Sequence, residues 1–301
     1  MTRYFIVFSL CCVAAYSSAA SAGDVSFVKS GDDIIVSIAG EKFAVYRTSK
    51  DLPKPFFQPV LLGETDLTRP IDPNEKEHPH HKGIWVSIDE VSGMKHWAEK
   101  AKIVNVKAEF HASRAGEAGS LKVVNHWLGE DGTPAVEEHT TIQIYPNRLM
   151  VYDINFHATA KDAVFEDTKE GLLGFRMAHS MRESEGGHIL AANGVEGSKE
   201  NWGRPNKWID YYGDVAGKTV GVTLMDHPGN FRPSRYHVRN YGLFSISPFG
   251  DKAYTNGKEE AKPLHLKRGE SLHLRYGIYF HAGDTAAGKV EETYQQFLGV
   301  K

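Results

Sequence analysis

The sequence predicts an all-β protein, a large antiparallel β-sandwich that ends in a short C-terminal helix. Three observations predict it. Runs rich in β-branched and aromatic residues recur along almost the whole chain, and Gly, Asp and Pro-Asn turn signals separate them at intervals of roughly 8–12 residues. Only one segment carries a helical apolar stripe. With 301 residues, 41% of them hydrophobic, the chain is long enough to bury one large core.

Taken in order, the first element is a leader. Met1-Thr2-Arg3 precedes an apolar run over 4–15 and small residues ending Ala20-Ser21-Ala22, the layout of an export signal over 1–22. That apolar run is too short to cross a bilayer, and no later stretch approaches the roughly 20 apolar residues a membrane helix needs. A single β-sandwich domain over 23–301, periplasmic or secreted and without membrane insertion, is therefore expected. Both cysteines, Cys11 and Cys12, fall in the leader, so disulfide and thiolate chemistry are not expected in the mature chain. Leu10 does not fit the small residue that precedes a lipoprotein cysteine. A net charge of −3 with acids and lysines interspersed gives no reason to expect a nucleic-acid partner.

Short β-branched runs at 25–29, 33–39 and 42–47 are separated by Gly and Asp turns, as a meander requires. Longer runs follow at 102–111, 120–128, 136–145 and 148–158. Thr140-Thr141-Ile142-Gln143-Ile144-Tyr145 alternates with the period of a half-buried strand, and Pro146-Asn147 closes the last two runs into a hairpin. Further strands are predicted at 171–177, 218–225, 241–247 and 271–281. The helix is predicted over 284–298, with Asp284 as its cap and Val290, Tyr294 and Phe297 on one face. No linker divides the chain and no internal repeat is visible.

Glu77-His78-Pro79-His80-His81-Lys82-Gly83-Ile84-Trp85 places three histidines within four residues, ahead of a strand at 84–88. Pro79 pushes His78 away from helical geometry, so the segment is extended or turn-like; in an extended segment His78 and His80 share one face and His81 takes the other. Surface histidines ahead of a core strand, with Trp85 packing, is the plain reading. A metal site needs three or four convergent ligands, and proton transfer needs a carboxylate beside one of the rings. The triplet alone leaves all three open.

Other polar blocks lie far off in sequence. Met225-Asp226-His227-Pro228-Gly229-Asn230-Phe231-Arg232-Pro233 is dense in groups that hydrogen-bond a polyhydroxylated ligand, although Asp226 can equally cap a turn. His237 and Arg239 alternate onto one face shortly afterwards. Between these blocks, Trp202, Trp208, Tyr211 and Tyr212 offer surfaces on which sugar rings stack, or core aromatics under a long loop.

The ordered blocks HPHHKGIW, KEGLLGFR (169–176), NWGRPNKWIDYYG (201–213) and MDHPGNFRPSRYHVRNYGLFSISPFG (225–250) resemble the DUF6807 family, also named methane oxygenase PmoA. The resemblance runs from about residue 55 to 281. Particulate methane monooxygenase subunits are membrane proteins, and this chain has no spanning stretch, so methane oxidation is not expected. Proteins similar to this one are common in glycan-degrading bacteria, and some look fused to sugar oxidoreductase-like domains; the resemblance implies carbohydrate chemistry. His179 stands where the family usually has an apolar residue.

These readings together predict an exported carbohydrate-active enzyme, a glycoside hydrolase or a lyase, acting on glycosides or oxidised sugars. Carbon–oxygen cleavage needs a proton donor for the leaving oxygen and a carboxylate partner or a base. His80 or His81 is the candidate acid/base, with His227 held by Asp226, and Glu170 as the spare carboxylate. Arg176, Trp202, Asp210, Arg232, His237, Arg239 and Tyr241 are candidate substrate contacts. A divalent metal would recruit His78, His80 and His227 or His237. The alternatives are a non-catalytic carbohydrate-binding protein with Trp85, Trp97, Trp202 and Trp208 as a platform, and a sugar epimerase on a mutarotase-like supersandwich. Every assignment requires the blocks to converge, a requirement that fails if His80 and His227 lie on opposite faces.

Overall fold

Two antiparallel sheets, packed face to face, form the body of the computed structural model, which describes residues 24–114 and 116–301. The leader expected over 1–22 lies outside the described residues. The first sheet runs Val25–Ser30, Asp33–Ile38, Glu41–Arg47, Phe56–Leu62, Ile84–Val86, Leu173–Arg176, Leu243–Ser247, Arg235–Val238, with Thr65–Asp66 beside Phe56–Leu62. The second runs His188–Ala191, Trp208–Val215, Lys218–Asp226, Ser271–Ala282, Leu149–His157, Pro134–Ile144, Gly119–Leu128, Ile103–His111. A small pair, Ala163–Phe165 with Leu264–Leu266, stands apart.

Alternation decides which side chains enter the core. In Pro134–Ile144, Val136, Glu138, Thr140, Ile142 and Ile144 are buried while the residues between them are more exposed. The Pro146-Asn147 turn returns the chain so that Met150 pairs with Ile144, the hairpin expected from the sequence. Between the sheets, Val36, Phe57, Ile84, Phe175 and Phe244 of the first meet Leu121, Ile142, Ile154 and Ile278 of the second. Phe280 touches both Phe43 and Phe175, with ring centroids 5.8 and 5.7 Å apart. Full burial of such side chains contributes about 1.5–3 kcal/mol each.

The helix spans Val290–Leu298 and starts later than the sequence predicts. Asp284 caps the turn before it instead, accepting from the Ala287 N–H at 2.8 Å, and Lys289 at φ 51° separates that turn from the helix. Val290, Tyr294 and Phe297 bury against Leu149, Val151, Met225 and Tyr279 on the outer face of the second sheet. Among the described residues no helix is long and apolar enough to cross a membrane.

Seven strands escape the sequence reading: Phe56–Leu62, Thr65–Asp66, Ala163–Phe165, His188–Ala191, Trp208–Val215, Arg235–Val238 and Leu264–Leu266. Trp208–Val215 is covered on one side by the core and on the other by the helix, so it shows no clean alternation to read. Trp208 is accordingly a packed aromatic whose Nε1 donates to Glu291 at 2.8 Å.

Candidate functional site

The middle of the first sheet joins three segments far apart in sequence: Ile84–Val86, Leu173–Arg176 and Leu243–Ser247, edged by Arg235–Val238. Their inward side chains, among them Ile84, Phe175, Ile246 and Tyr236, enter the core. The alternate positions, Trp85, Gly174, Arg176, Ser245 and His237, therefore project from the outer face. Register places Trp85, Gly174, Ser245 and His237 in one row across the strands. A Cβ on Gly174 would lie 2.6 Å from the Trp85 ring, so the indole can cover the sheet only because this position is glycine. Gly83, at φ 50°, has its Cα pressed against the Phe57 carbonyl and turns the chain from the histidine triplet into the sheet.

Of the two conformations that Pro79 leaves open, extended or turn-like, the histidine triplet takes the turn. The His81 N–H donates to the His78 carbonyl at 3.0 Å, and His78 adopts φ 51°. Two buried cations tie down its carbonyls. Arg69 donates to those of Glu77 and His78 at 2.7 Å and of His81 at 3.0 Å. Lys54 donates to the His80 carbonyl at 2.8 Å and pairs with Glu99 at 2.7 Å. Burial holds Lys54 down to about 8 despite Glu99. Neither cation was legible beforehand, since Lys54 between two prolines and Arg69 before Pro70 look like surface-loop residues.

This turn gathers all three imidazoles. His78 stacks on His81 at 4.8 Å and His80 meets it edge-on at 4.4 Å, and ring nitrogens of the three lie within 4.8 Å of one another. His81 is 3% exposed, stacks on Trp85 at 5.4 Å and touches Trp97. Neither of its ring nitrogens has a partner among the described residues. Burial is the main cause keeping all three neutral; it pushes His80 down to about 4, with Lys54 adding to the effect.

Beside the triplet, Arg176 is wholly buried. Its Nη2 donates to Glu77 Oε2 at 3.1 Å, while Nε and Nη1 have no partner among the described residues. Its guanidinium lies 5.0 Å from the Tyr241 ring, against which His78 stacks at 5.1 Å and Arg239 sits at 5.6 Å. Burial lowers Arg176 only to about 10, so it is a cation at neutral pH.

At the other end of the row, His237 Nδ1 lies 3.2 Å from the Lys169 carbonyl and 3.6 Å from Glu170 Oε2. A carbonyl only accepts, so Nδ1 carries the proton and Nε2 is the basic nitrogen. Burial, with Arg239 and Lys169 adding, pushes His237 down to about 3, and burial raises Glu170. A neutral imidazole beside a carboxyl group that holds its proton above the usual range is an arrangement for proton transfer. Trp202, with its ring centroid 6.2 Å from that of His237, and Tyr254, which donates to the Lys169 carbonyl at 2.7 Å, complete this end.

Buried polar atoms are normally hydrogen-bonded. Here Trp85 Nε1, Trp97 Nε1, Trp202 Nε1, Ser245 Oγ, His81 and Arg176 all offer buried atoms without a protein partner around one face. That concentration marks the outer face of the first sheet as the candidate binding site.

The structure thus brings together His78, His80, His81, Glu170, Arg176, Trp202, His237, Arg239 and Tyr241. Four predicted site residues lie elsewhere. Asp226 folds its own loop, accepting from Ser234 N at 2.8 Å and Asn230 Nδ2 at 2.8 Å. His227 follows a strand of the second sheet and packs on Phe297 of the helix, the opposite side of the sandwich from His80, so it joins neither the triplet nor Asp226 in a dyad. It lines a separate cleft of about 330 Å³. Asp210 is buried in the second sheet, accepting from Thr223 at 2.8 Å, His281 at 2.9 Å and Thr285 at 2.7 Å. Arg232 is held by Asp251 and the Lys262 carbonyl and stacks on Phe231. The exposed tryptophan platform also fails, because Trp85, Trp97 and Trp208 are buried. His179 is exposed and bonded to Arg182 at the rim.

The chain belongs to the DUF6807 family, a family of unknown function whose sequence signature matches residues 33–295. A comparison with curated proteins finds no match. Among solved structures, the galactose 1-epimerase of Lactobacillus acidophilus NCFM is similar at 8% identity and a TM-score of 0.44, over 86% of this chain and 99% of that one. The GalM/aldose epimerase homologue from C. elegans is similar at 10% identity and a TM-score of 0.39, over 86% and 100%. The GH36 alpha-galactosidase AgaA from Geobacillus stearothermophilus, in complex with 1-deoxygalactonojirimycin, is similar at 9% identity and a TM-score of 0.44, over 86% of this chain. The chain spans only 40% of that galactosidase. These likenesses concern the sandwich fold.

Proposed function

We propose that this member of the DUF6807 family is a carbohydrate-active enzyme that binds an acidic sugar on the outer face of its first sheet and cleaves a carbon–oxygen bond by elimination. One observation carries the reading: the Glu170–His237 pair lies on the same sheet face as Arg176, a buried guanidinium with two uncommitted N–H donors. A carboxylate is the ligand group that suits those donors.

Elimination asks for what this face holds. His237 Nε2 takes the proton on the carbon next to the sugar carboxylate, and Arg176 neutralises the charge that develops on that carboxylate. As the carbon–carbon double bond forms, the carbon–oxygen bond on the neighbouring carbon breaks and Glu170 gives its proton to the departing oxygen. The 3.6 Å between His237 Nδ1 and Glu170 places acid and base side by side, so the pair can be reset through solvent between turnovers. Hydrolysis by two flanking carboxylates fits less well, because the paired group is a neutral imidazole.

Export through the 1–22 leader belongs to the same proposal and is checked by sequencing the N-terminus of the secreted protein. The activity is tested on uronate-containing oligosaccharides, following the ultraviolet absorbance of the unsaturated product. The expected result is absorbance that is lost in Glu170→Gln and His237→Asn. New reducing ends without absorbance would replace elimination by hydrolysis, and binding without either product would make this a binding protein.

A further inference from the structure

We infer that His78, His80 and His81 form a binding site for one divalent transition-metal ion, of the zinc class. The inference stands on the geometry of the turn and does not depend on the substrate or reaction proposed above.

Three imidazoles from four consecutive residues are brought together by a turn whose carbonyls are fixed from behind by Arg69 and Lys54, so the side chains, not the backbone, are left free to act. Their ring nitrogens already lie within 4.8 Å of one another. Zinc–nitrogen bonds of about 2.0–2.1 Å put tetrahedral ligand atoms about 3.4 Å apart, a closure that small side-chain rotations supply. A histidine packed for its own sake would satisfy its polar atoms. His81 instead keeps both ring nitrogens unpartnered at 3% exposure, and an imidazole nitrogen left buried and unpaired is costly. Coordination through one nitrogen removes part of that cost.

The donor set selects the ion. Three neutral nitrogens and no carboxylate in the cluster disfavour calcium and magnesium, which want oxygen, and suit zinc or its borderline neighbours. Three protein ligands also leave one position for water or a ligand oxygen, as catalytic rather than structural zinc sites do. His78 and Arg176 both lie against the Tyr241 ring, at 5.1 and 5.0 Å, so the triplet and the uncommitted guanidinium share a neighbour on the same face. The site differs from the metal set expected from sequence in its third ligand: His81 takes the place of His227 or His237.

The test uses the full mature chain, stripped with a chelator and titrated with Zn²⁺ by calorimetry, with no substrate present. One equivalent should bind, and His80→Ala, at one of the two partly exposed members, should weaken binding by more than about 100-fold, the upper end of what losing a mere supporting partner costs. His227→Ala should leave the isotherm unchanged. Because His81→Ala opens a hole over Trp85 and can unfold the site, the second measurement is the visible spectrum of the unmodified protein loaded with Co²⁺, which should show the strong bands of nitrogen ligation at low coordination number. No stoichiometric binding with a weak, aquo-like Co²⁺ spectrum would overturn the inference. So would Zn²⁺ binding that survives His80→Ala, or that is lost equally in His227→Ala.

Discussion

Replacing Arg176 by methionine should weaken binding of an acidic sugar while leaving the ligand-free protein as stable as before, or more so. On the stability side, the guanidinium is wholly buried with Nε and Nη1 unpartnered, and each such donor costs about 1–3 kcal/mol. What the substitution removes is small. The Glu77 partner is 43% exposed and still has Arg182 at 3.5 Å, a pair worth about 0–1 kcal/mol, and the contact with Tyr241 contributes about 0.5–2 kcal/mol. Methionine fills the channel of the arginine stem with an adaptable apolar chain. The balance centres on about 2 kcal/mol in favour of the variant. On the binding side, hydrogen bonds to a charged group are worth about 1.5–3 kcal/mol each, so two of them lost from a carboxylate reduce affinity by about 100-fold or more. Denaturant melts of the free proteins and calorimetry with matched uronate and neutral sugars measure both sides. The reasoning is refuted if the variant loses several kcal/mol of stability without ligand, or if uronate and neutral sugar lose affinity by the same factor.

Three further outcomes follow from neighbouring features. Glu170→Gln should lower turnover by about 10²–10⁴-fold. Because burial raises the folded-state pKa of Glu170, its contribution to stability is full below the ordinary glutamate range and is lost as pH rises through the raised value; pH-dependent melts should show that loss in the parent and not in Glu170→Gln. For His281, burial opposes the charged form but the hydrogen bond and charge of Asp210 outweigh it, so its pKa is raised. The stability this pair supplies is present in acid and lost as pH rises through the raised value, so Asp210→Asn should destabilise by about 3–5 kcal/mol at the acid end, less in alkali, with ligand affinity unchanged because the pair lies in the second sheet. A melt difference that does not vary with pH would contradict this. Gly174→Ala, which drives a methyl to 2.6 Å from Trp85, should cost about 1–3 kcal/mol and weaken ligand binding as the indole shifts; an unperturbed tryptophan fluorescence spectrum would count against the close contact.

The sequence by itself determined the all-β character, the hairpin through Pro146-Asn147, the helical stripe of Val290, Tyr294 and Phe297, and the family, because period-two and period-3.6 patterns and ordered motifs are local signals. It also identified the chemistry-bearing blocks of His78–His81, Glu170, Arg176 and His237. Tertiary structure alone decided which blocks meet. His227 and His80 look equivalent along the chain, yet one follows a strand of the second sheet and the other precedes a strand of the first, and strand order depends on long-range pairing that no local pattern encodes. The same pairing turned Asp210 and Arg232, candidate substrate contacts, and Asp226, the candidate partner of His227, into structural groups, and buried Trp85 and Trp208. It also supplied Lys54 and Arg69, ordinary loop cations in sequence, whose burial behind the triplet selects the turn over the extended alternative and brings its three imidazoles together. A buried cation must spend its hydrogen bonds on whatever carbonyls the fold presents to it, and which carbonyls those are is fixed only when the sheets have closed.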